Sequence, residues 1–192
     1  MAYLMKRLPA NLLSLLGLIF FSILLNACEE AAPSEVSEVR PIKDSEIIAF
    51  QKAYGISFNA ISKAIEDESY YESAARKHID QHYNFDEGKV MFKIGNDEDA
   101  PFRDTYEGLL SYLIGKNEEF PKDEGIANQN WRKIDWNNSG IIKEGNIAIV
   151  IGTVNMIKEN DEEIIQNYTM GLKRDSDGDL KLIVHKISQA CN

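Results

Sequence analysis

The chain has 192 residues, 44% hydrophobic and 27% charged, with 31 acidic against 21 basic side chains and a formal charge of −10. This acidic balance argues against nucleic acid and against docking on anionic lipid, since both would repel it. The length allows one domain large enough to bury a core.

In chain order, Lys6 and Arg7 precede an apolar stretch from Leu12 to Leu25, which ends in Leu25-Asn-Ala-Cys28. Residues 1–27 therefore read as a secretory signal. The apolar core of about 14 residues falls short of the ~20 that a spanning helix needs. Ala27 directly before Cys28, with Leu25 two places earlier, resembles the lipobox of bacterial lipoproteins, in which the cysteine is lipidated and becomes the first mature residue. That resemblance implies a protein of the bacterial cell envelope, lipid-anchored through Cys28 to the inner or outer membrane, with its folded domain outside the cytoplasm. Each buried acyl methylene would contribute ~0.8 kcal/mol to anchoring. Once Cys28 carries lipid, Cys191 has no partner, so neither a disulfide nor a cysteine metal site is expected. Without the signal, 19 basic side chains face 31 acidic ones, a formal −12.

Residues 28–44 hold two prolines and little apolar content, and read as a flexible tether reaching roughly 50 Å at ~3.3 Å per residue. A single domain is expected over 45–192. Ser45 suits an N-cap, and Ile47, Phe50, Tyr54, Phe58, Ile61 and Ile65 then step by three or four along one helical face. Gly55 weakens that helix without ending it. A second helix is expected from about Ser69 to His82, with Tyr71, Ala75, His78, Ile79 and His82 on one side. Two histidines four apart suggest a metal pair, but no third ligand is placed near them, so surface or packed rim is the expectation.

Val90, Phe92 and Ile94 alternate as a short strand. A third helix is expected between Pro101 and Gly115, with Asp104 and Glu107 at capping-box spacing, Gly115 as the C-terminal cap, and Leu109, Tyr112 and Leu113 as the buried stripe. Residues 115–130 read as a polar connection, followed by short strands at Trp131–Trp136 and Ile141–Lys143. Three longer strands then make an antiparallel meander. In the first, from Ile147, apolar residues occupy both sides, so both faces are expected to be covered. In the second, Ile164, Gln166, Tyr168, Met170 and Leu172 share a face. The third, after the Asp177-Gly178 hairpin signal, carries Leu180, Leu182 and Val184 on one side with Ile183, His185 and Ile187 on the other.

Helices first and then antiparallel strands predict an α+β domain with about three helices on one face of a curved sheet. This arrangement resembles the cone-shaped fold of nuclear transport factor 2 and ketosteroid isomerase, in which a pocket between the layers takes small molecules. The run Phe92-Lys93, Pro101-Phe-Arg-Asp-Thr105, Glu107-Gly108 and Ser111-Tyr112, with Trp131 and the terminal Val184-His-Lys-Ile-Ser188, resembles the iota class of carbonic anhydrases, which share the association-domain fold of calcium/calmodulin-dependent kinase II. The resemblance implies a metal-independent, reversible hydration of carbon dioxide with no cofactor. It assigns the polar groups to Tyr112, His185 and Ser188. The family's C-terminal string of histidines and serines is reduced here to His185 and Ser188, and a family threonine falls on Gly95, so a low rate or a degenerate site is implied. A non-catalytic module of the same fold, binding a small ligand or serving assembly, is the alternative.

Alternate strand residues point to opposite faces, so His185 and Ser188 enter the same pocket only if the strand bulges between them. Which face of the last strand lines the pocket stays open at this level. Asp175, Asp177 and Asp179 do not complete a calcium loop, because Leu180 and Lys186 stand where glycine and glutamate are needed. The second apolar face of the meander, together with the outer-face pairing of the association-domain relatives, predicts a homodimer.

Overall fold

A computed structural model describes residues 40–94 and 102–189. The signal segment, Cys28, Gly95 and Cys191 lie outside the described residues. Helix α1 (Asp44–Glu66) is preceded by Lys43 rather than Ser45 as its N-cap, and the Lys43 N–H donates to Glu46 Oε2 at 2.9 Å. Asp44 and Glu46 in the first turn complement the positive end of the helix dipole. Its apolar stripe is the expected one and faces the sheet. Gly55 lies against the sheet, and a Cβ there would stand 3.5 Å from Ile134, an ordinary van der Waals contact, so the approach of helix to strand does not demand glycine.

Helix α2 (Tyr71–His82) packs against α1, and strand β1 (Met91–Ile94) follows. Helix α3 (Tyr106–Ile114) begins one residue later than the expected capping box places it. Thr105 is the N-cap, its Oγ1 accepting from the Gly108 N–H at 3.1 Å, and Gly115 ends the helix at φ 70°. The polar run around α3 forms a clamp. Arg103 grips Asp123 with two bonds of 2.5 and 2.8 Å, Ser111 donates to the same carboxylate at 2.6 Å, and the guanidinium lies 4.2 Å over the Phe120 ring. These contacts hold residues 115–125 against the helix that carries Tyr112.

After a 3-10 turn (Ile126–Gln129) come β2 (Trp131–Glu144), β3 (Ile147–Lys158), β4 (Glu163–Arg174) and β5 (Leu180–Gln189). The sheet order is β1-β5-β4-β3-β2, antiparallel except for β1, which runs parallel to β5. The two short strands expected at 131–136 and 141–143 are one long strand with a bulge, since Asn138 pairs with Gly152 while Gly140 pairs with Ile151. Only glycine fits opposite it, because a Cβ at residue 152 would lie 2.0 Å from the Asn137 carbonyl oxygen.

A second bulge corrects the expected alternation of β5. Leu172 pairs with Leu182 and the next residue, Gly171, with Val184, which leaves Ile183 as the extra residue. Leu180, Leu182, His185 and Ile187 are buried together on the inner face as a result, while Val184 goes to the other side with Lys186 and Ser188. The three helices cover only that inner face. The expectation that both faces of β3 are covered therefore fails in the single chain, where Ile149 and Ile151 on the outer face remain 46% and 49% exposed. The architecture is the α+β cone, with the core between helices and sheet.

Candidate functional site

The inner face of the sheet supplies cross-strand rows, one of them Ile141, Val150, Met170, His185 and Phe92. Between these rows and the helices lies a cavity of ≈ 20 Å³, with Tyr54 and Phe58 of α1, Tyr112 of α3, Trp136 of β2 and Gln166 of β4 among its walls. It has room for one or two water-sized groups, and no ionised side chain lines it.

Tyr112 lies on α3 against the cavity. Its ring is in the wall and its hydroxyl makes no hydrogen bond to the described residues. Burial raises its pKa, with the neighbouring Tyr54 and Asp123 adding to the rise and Arg103 opposing it. The phenol therefore stays protonated at neutral pH and is a hydrogen-bond donor.

His185 is wholly buried and reaches the cavity through two tyrosines. Its Nδ1 is 2.8 Å from the Tyr83 hydroxyl, which is 3.1 Å from the hydroxyl of Tyr54 in the cavity wall. Tyr83 is placed for this by its bridge to Leu182 and by the Asn84 N–H, which donates to the Leu182 carbonyl at 3.0 Å. Burial lowers His185 to about 3 and raises both tyrosines, so all three groups are neutral near pH 7. Ser188 stands apart. It pairs with Asn167 on the face opposite His185, because the bulge lies before His185 and not between the two residues.

Two features escaped the sequence reading. Tyr54 was visible as a core residue, but only the fold brings its hydroxyl to Tyr83. His78 and His82 are not rim residues: both are buried, and both meet Ser57 of α1, whose Oγ is 2.7 Å from His78 Nδ1 and 2.8 Å from His82 Nε2. Their spacing of four along α2 was the available signal, and the partner on another helix was not legible. Among the described residues no three His, Cys, Asp or Glu side chains converge as a metal site. Trp136 also has its indole N–H buried without a hydrogen-bond partner.

A small cavity under the helices of an α+β cone, with two phenols, an indole and a side-chain amide as its polar groups, is the candidate small-molecule site on this fold. The description of the metal-independent carbonic anhydrases matches residues 45–189, and the chain belongs to that family. A metal-independent carbonic anhydrase of Nostoc sp. (strain PCC 7120 / SAG 25.82 / UTEX 2576) is 33% identical over 152 residues, which cover 78% of this chain and 74% of that one. The crystal structure of a cyanobacterial iota-carbonic anhydrase complexed with bicarbonate superposes with a TM-score of 0.76 at 32% identity, covering 79% of this chain and 94% of the other.

Proposed function

We propose that the protein hydrates carbon dioxide reversibly, without a metal, in the cavity bounded by Tyr54 and Tyr112, and that it does so as an envelope lipoprotein held through Cys28. The observation that carries this is the unpartnered Tyr112 hydroxyl on the cavity beside the hydrogen-bonded run Tyr54, Tyr83, His185. Bicarbonate in the cyanobacterial relative supports it.

Carbon dioxide is apolar and suits a wall without ions. When water attacks its carbon, one C=O pair becomes an oxyanion and the water must lose a proton. Tyr112, held in the protonated form, donates a hydrogen bond to the developing charge, in the way a preorganised oxyanion donor does. The other requirement falls to the tyrosine run. With Tyr83 donating to His185 Nδ1 and Tyr54 donating to Tyr83, the Tyr54 oxygen is free to accept. The water proton goes to Tyr54 as the Tyr54 proton moves to Tyr83 and the Tyr83 proton to His185. The bicarbonate formed has no cation in the wall to hold it, which favours release.

Two facts favour a slow enzyme. Burial weakens the hold of His185 on a proton, and Ser188 lies on the face opposite His185. If the loss is complete, the same cavity is a small-ligand module. Stopped-flow hydration of carbon dioxide separates these readings. The parent is expected to exceed the uncatalysed rate, equally with and without chelator. Tyr112→Phe should lower kcat about a hundredfold while leaving stability within ~1 kcal/mol, since only an unpartnered hydroxyl is removed. No hydration by the parent would leave the binding module standing, and activity lost to the chelator would overturn the metal-free chemistry.

A further inference from the structure

On the inner face of β4, Ile164, Met170 and Leu172 pack in the core, and the Tyr168 hydroxyl is held by Gln51 and Asn138. Gln166 stands among them as a half-buried amide whose side chain makes no hydrogen bond to the described residues. The register fixes its surroundings. Gln166 pairs with Val154 and Val154 with Trp136, so the three form one cross-strand row, and all three line the cavity. The helices complete the wall with Tyr54 and Tyr112. A space of ≈ 20 Å³ holds one or two water-sized groups, so the polar residues around it serve the same guest. An amide set in an apolar wall without a partner is an arrangement that stability alone does not favour.

The hydration chemistry has a use for an acceptor at this place. Attack on carbon dioxide joins the water oxygen to carbon, turns one C=O pair into the oxyanion and sends one water proton to Tyr54. The second water proton stays on the attacking oxygen as the hydroxyl of bicarbonate. Among the polar groups of the wall, Tyr112 is committed to the oxyanion, the Trp136 indole only donates, and the Tyr54 oxygen takes the first proton. Gln166 Oε1 is left as the acceptor for the second. Without it a hydroxyl would be enclosed with no partner, which penalises the attacking water and the product alike.

We propose that Gln166 is a further catalytic residue of this cavity: its Oε1 accepts the hydrogen bond of the attacking water and then of the bicarbonate hydroxyl, while its Nε2 donates to a neighbouring oxygen of the same ligand. The guest it selects is a small planar oxyanion that keeps one proton. An amide acts through its dipole alone, so it orients the anion without adding a positive charge that would retain it. The three contacts divide the work: Tyr112 meets the developing charge, Tyr54 removes a proton, and Gln166 holds the proton that stays.

This inference rests on the hydration reading, and the experiment separates the two. Gln166→Met keeps the length of the side chain and removes both polar atoms. In stopped-flow work on the full chain it should lower kcat/KM about tenfold, the loss expected for one hydrogen bond in the transition state. The factor should be the same for hydration and for bicarbonate dehydration, because the overall equilibrium constant is fixed. Gln166→Glu, whose carboxylate repels the anion, should lower it further. The urea midpoint of Gln166→Met should equal or exceed the parent's, since an unpartnered amide leaves an apolar wall. Binding is read without turnover: the Gln166 side-chain amide signal in ¹H–¹⁵N spectra, assigned by its loss in Gln166→Met, should shift saturably with bicarbonate at fixed pH and not with chloride. A hydrating parent whose Gln166→Met variant keeps kcat/KM within about twofold, or whose Gln166 amide ignores bicarbonate, overturns the amide contact alone. Activity and urea midpoint falling together would do the same, marking Gln166 as structural. A parent whose Gln166 amide responds but which does not hydrate overturns the hydration reading and keeps the contact as that of a bicarbonate-binding module. A parent that shows neither overturns both.

Discussion

At the scale of single residues, the unusual feature is three neutral histidines in the core of a small domain. An unfolded histidine titrates near 6.5, whereas burial lowers His82 to about 4, His185 to about 3, and His78 well below its ordinary value. The unfolded chain therefore binds more protons than the folded one below pH ~6.5, so stability is fully present above that pH and is lost as pH falls toward the folded values. Each histidine takes away ~1.4 kcal/mol per pH unit, and all three together roughly 4 kcal/mol. Against a typical stability of ~5–15 kcal/mol, that predicts acid unfolding between about pH 4 and 5. Glu46 and Glu87, whose pKa values are lowered by Arg174 and by Ser176 respectively, act with the same sign but only below about pH 4.5, so the window from 6.5 to 4.5 isolates the histidines. The urea midpoint measured across it should fall steadily. A midpoint constant down to pH 5 would show that the imidazoles are not buried neutral.

At the scale of elements, two bulges determine what the cavity contains. The extra residue in β2, Ser139, is tolerated only because Gly152 faces the bulge, and it lies three residues from Trp136 in the cavity wall. Gly152→Ala would drive a methyl group into the Asn137 backbone. It is expected to cost about 1–3 kcal/mol in urea unfolding, the usual range for overpacking, and to reduce hydration more than distant surface changes do. A variant as stable as the parent would mean that the strand relaxes without loss. The bulge at Ile183 does the corresponding work in β5. It puts Leu182 and His185 on one face although they are three residues apart, and it sends Ser188 outward. Strict alternation predicted neither, because bulges come from pairing across strands and not from the pattern along one strand.

At the scale of the whole molecule, the outer face of the sheet carries a row from edge to edge: Ile142, Ile149, Gly171, Val184 and Met91, one residue from each strand. Ile142 is 69% exposed and Met91 47%. A self-complementary apolar row of this kind suits a two-fold pairing of identical faces, and we expect a homodimer. Light scattering at micromolar concentration should give twice the chain mass, and Ile149→Glu, placing a charge within the row, should return it to one. A parent that is monomeric throughout would refute the pairing. The anchor is tested separately. Cys28→Ser should leave an uncleaved precursor or a soluble species that no longer partitions into detergent, and unchanged partitioning of a processed mutant would remove the lipoprotein reading.

What the sequence by itself determined is whatever local periodicity encodes: the apolar stripe of α1, the inner face of β4 from Ile164 to Leu172, the end of α3 at Gly115, and the helix-then-meander order that makes an α+β cone. The resemblance around Phe92 to Tyr112 led to the family. Tertiary structure alone decided the rest, because those features depend on partners distant in the chain. Tyr54 and Tyr83 are 29 residues apart and Tyr83 and His185 are 102 apart, yet their polar atoms lie within 3.1 Å. His78 and His82 read as ordinary helical histidines until α1 presents Ser57 between them. Periodicity reports which side of an element is buried. Which buried hydroxyl meets which imidazole is a property of packing, where a shift of one residue in register exchanges one face for the other.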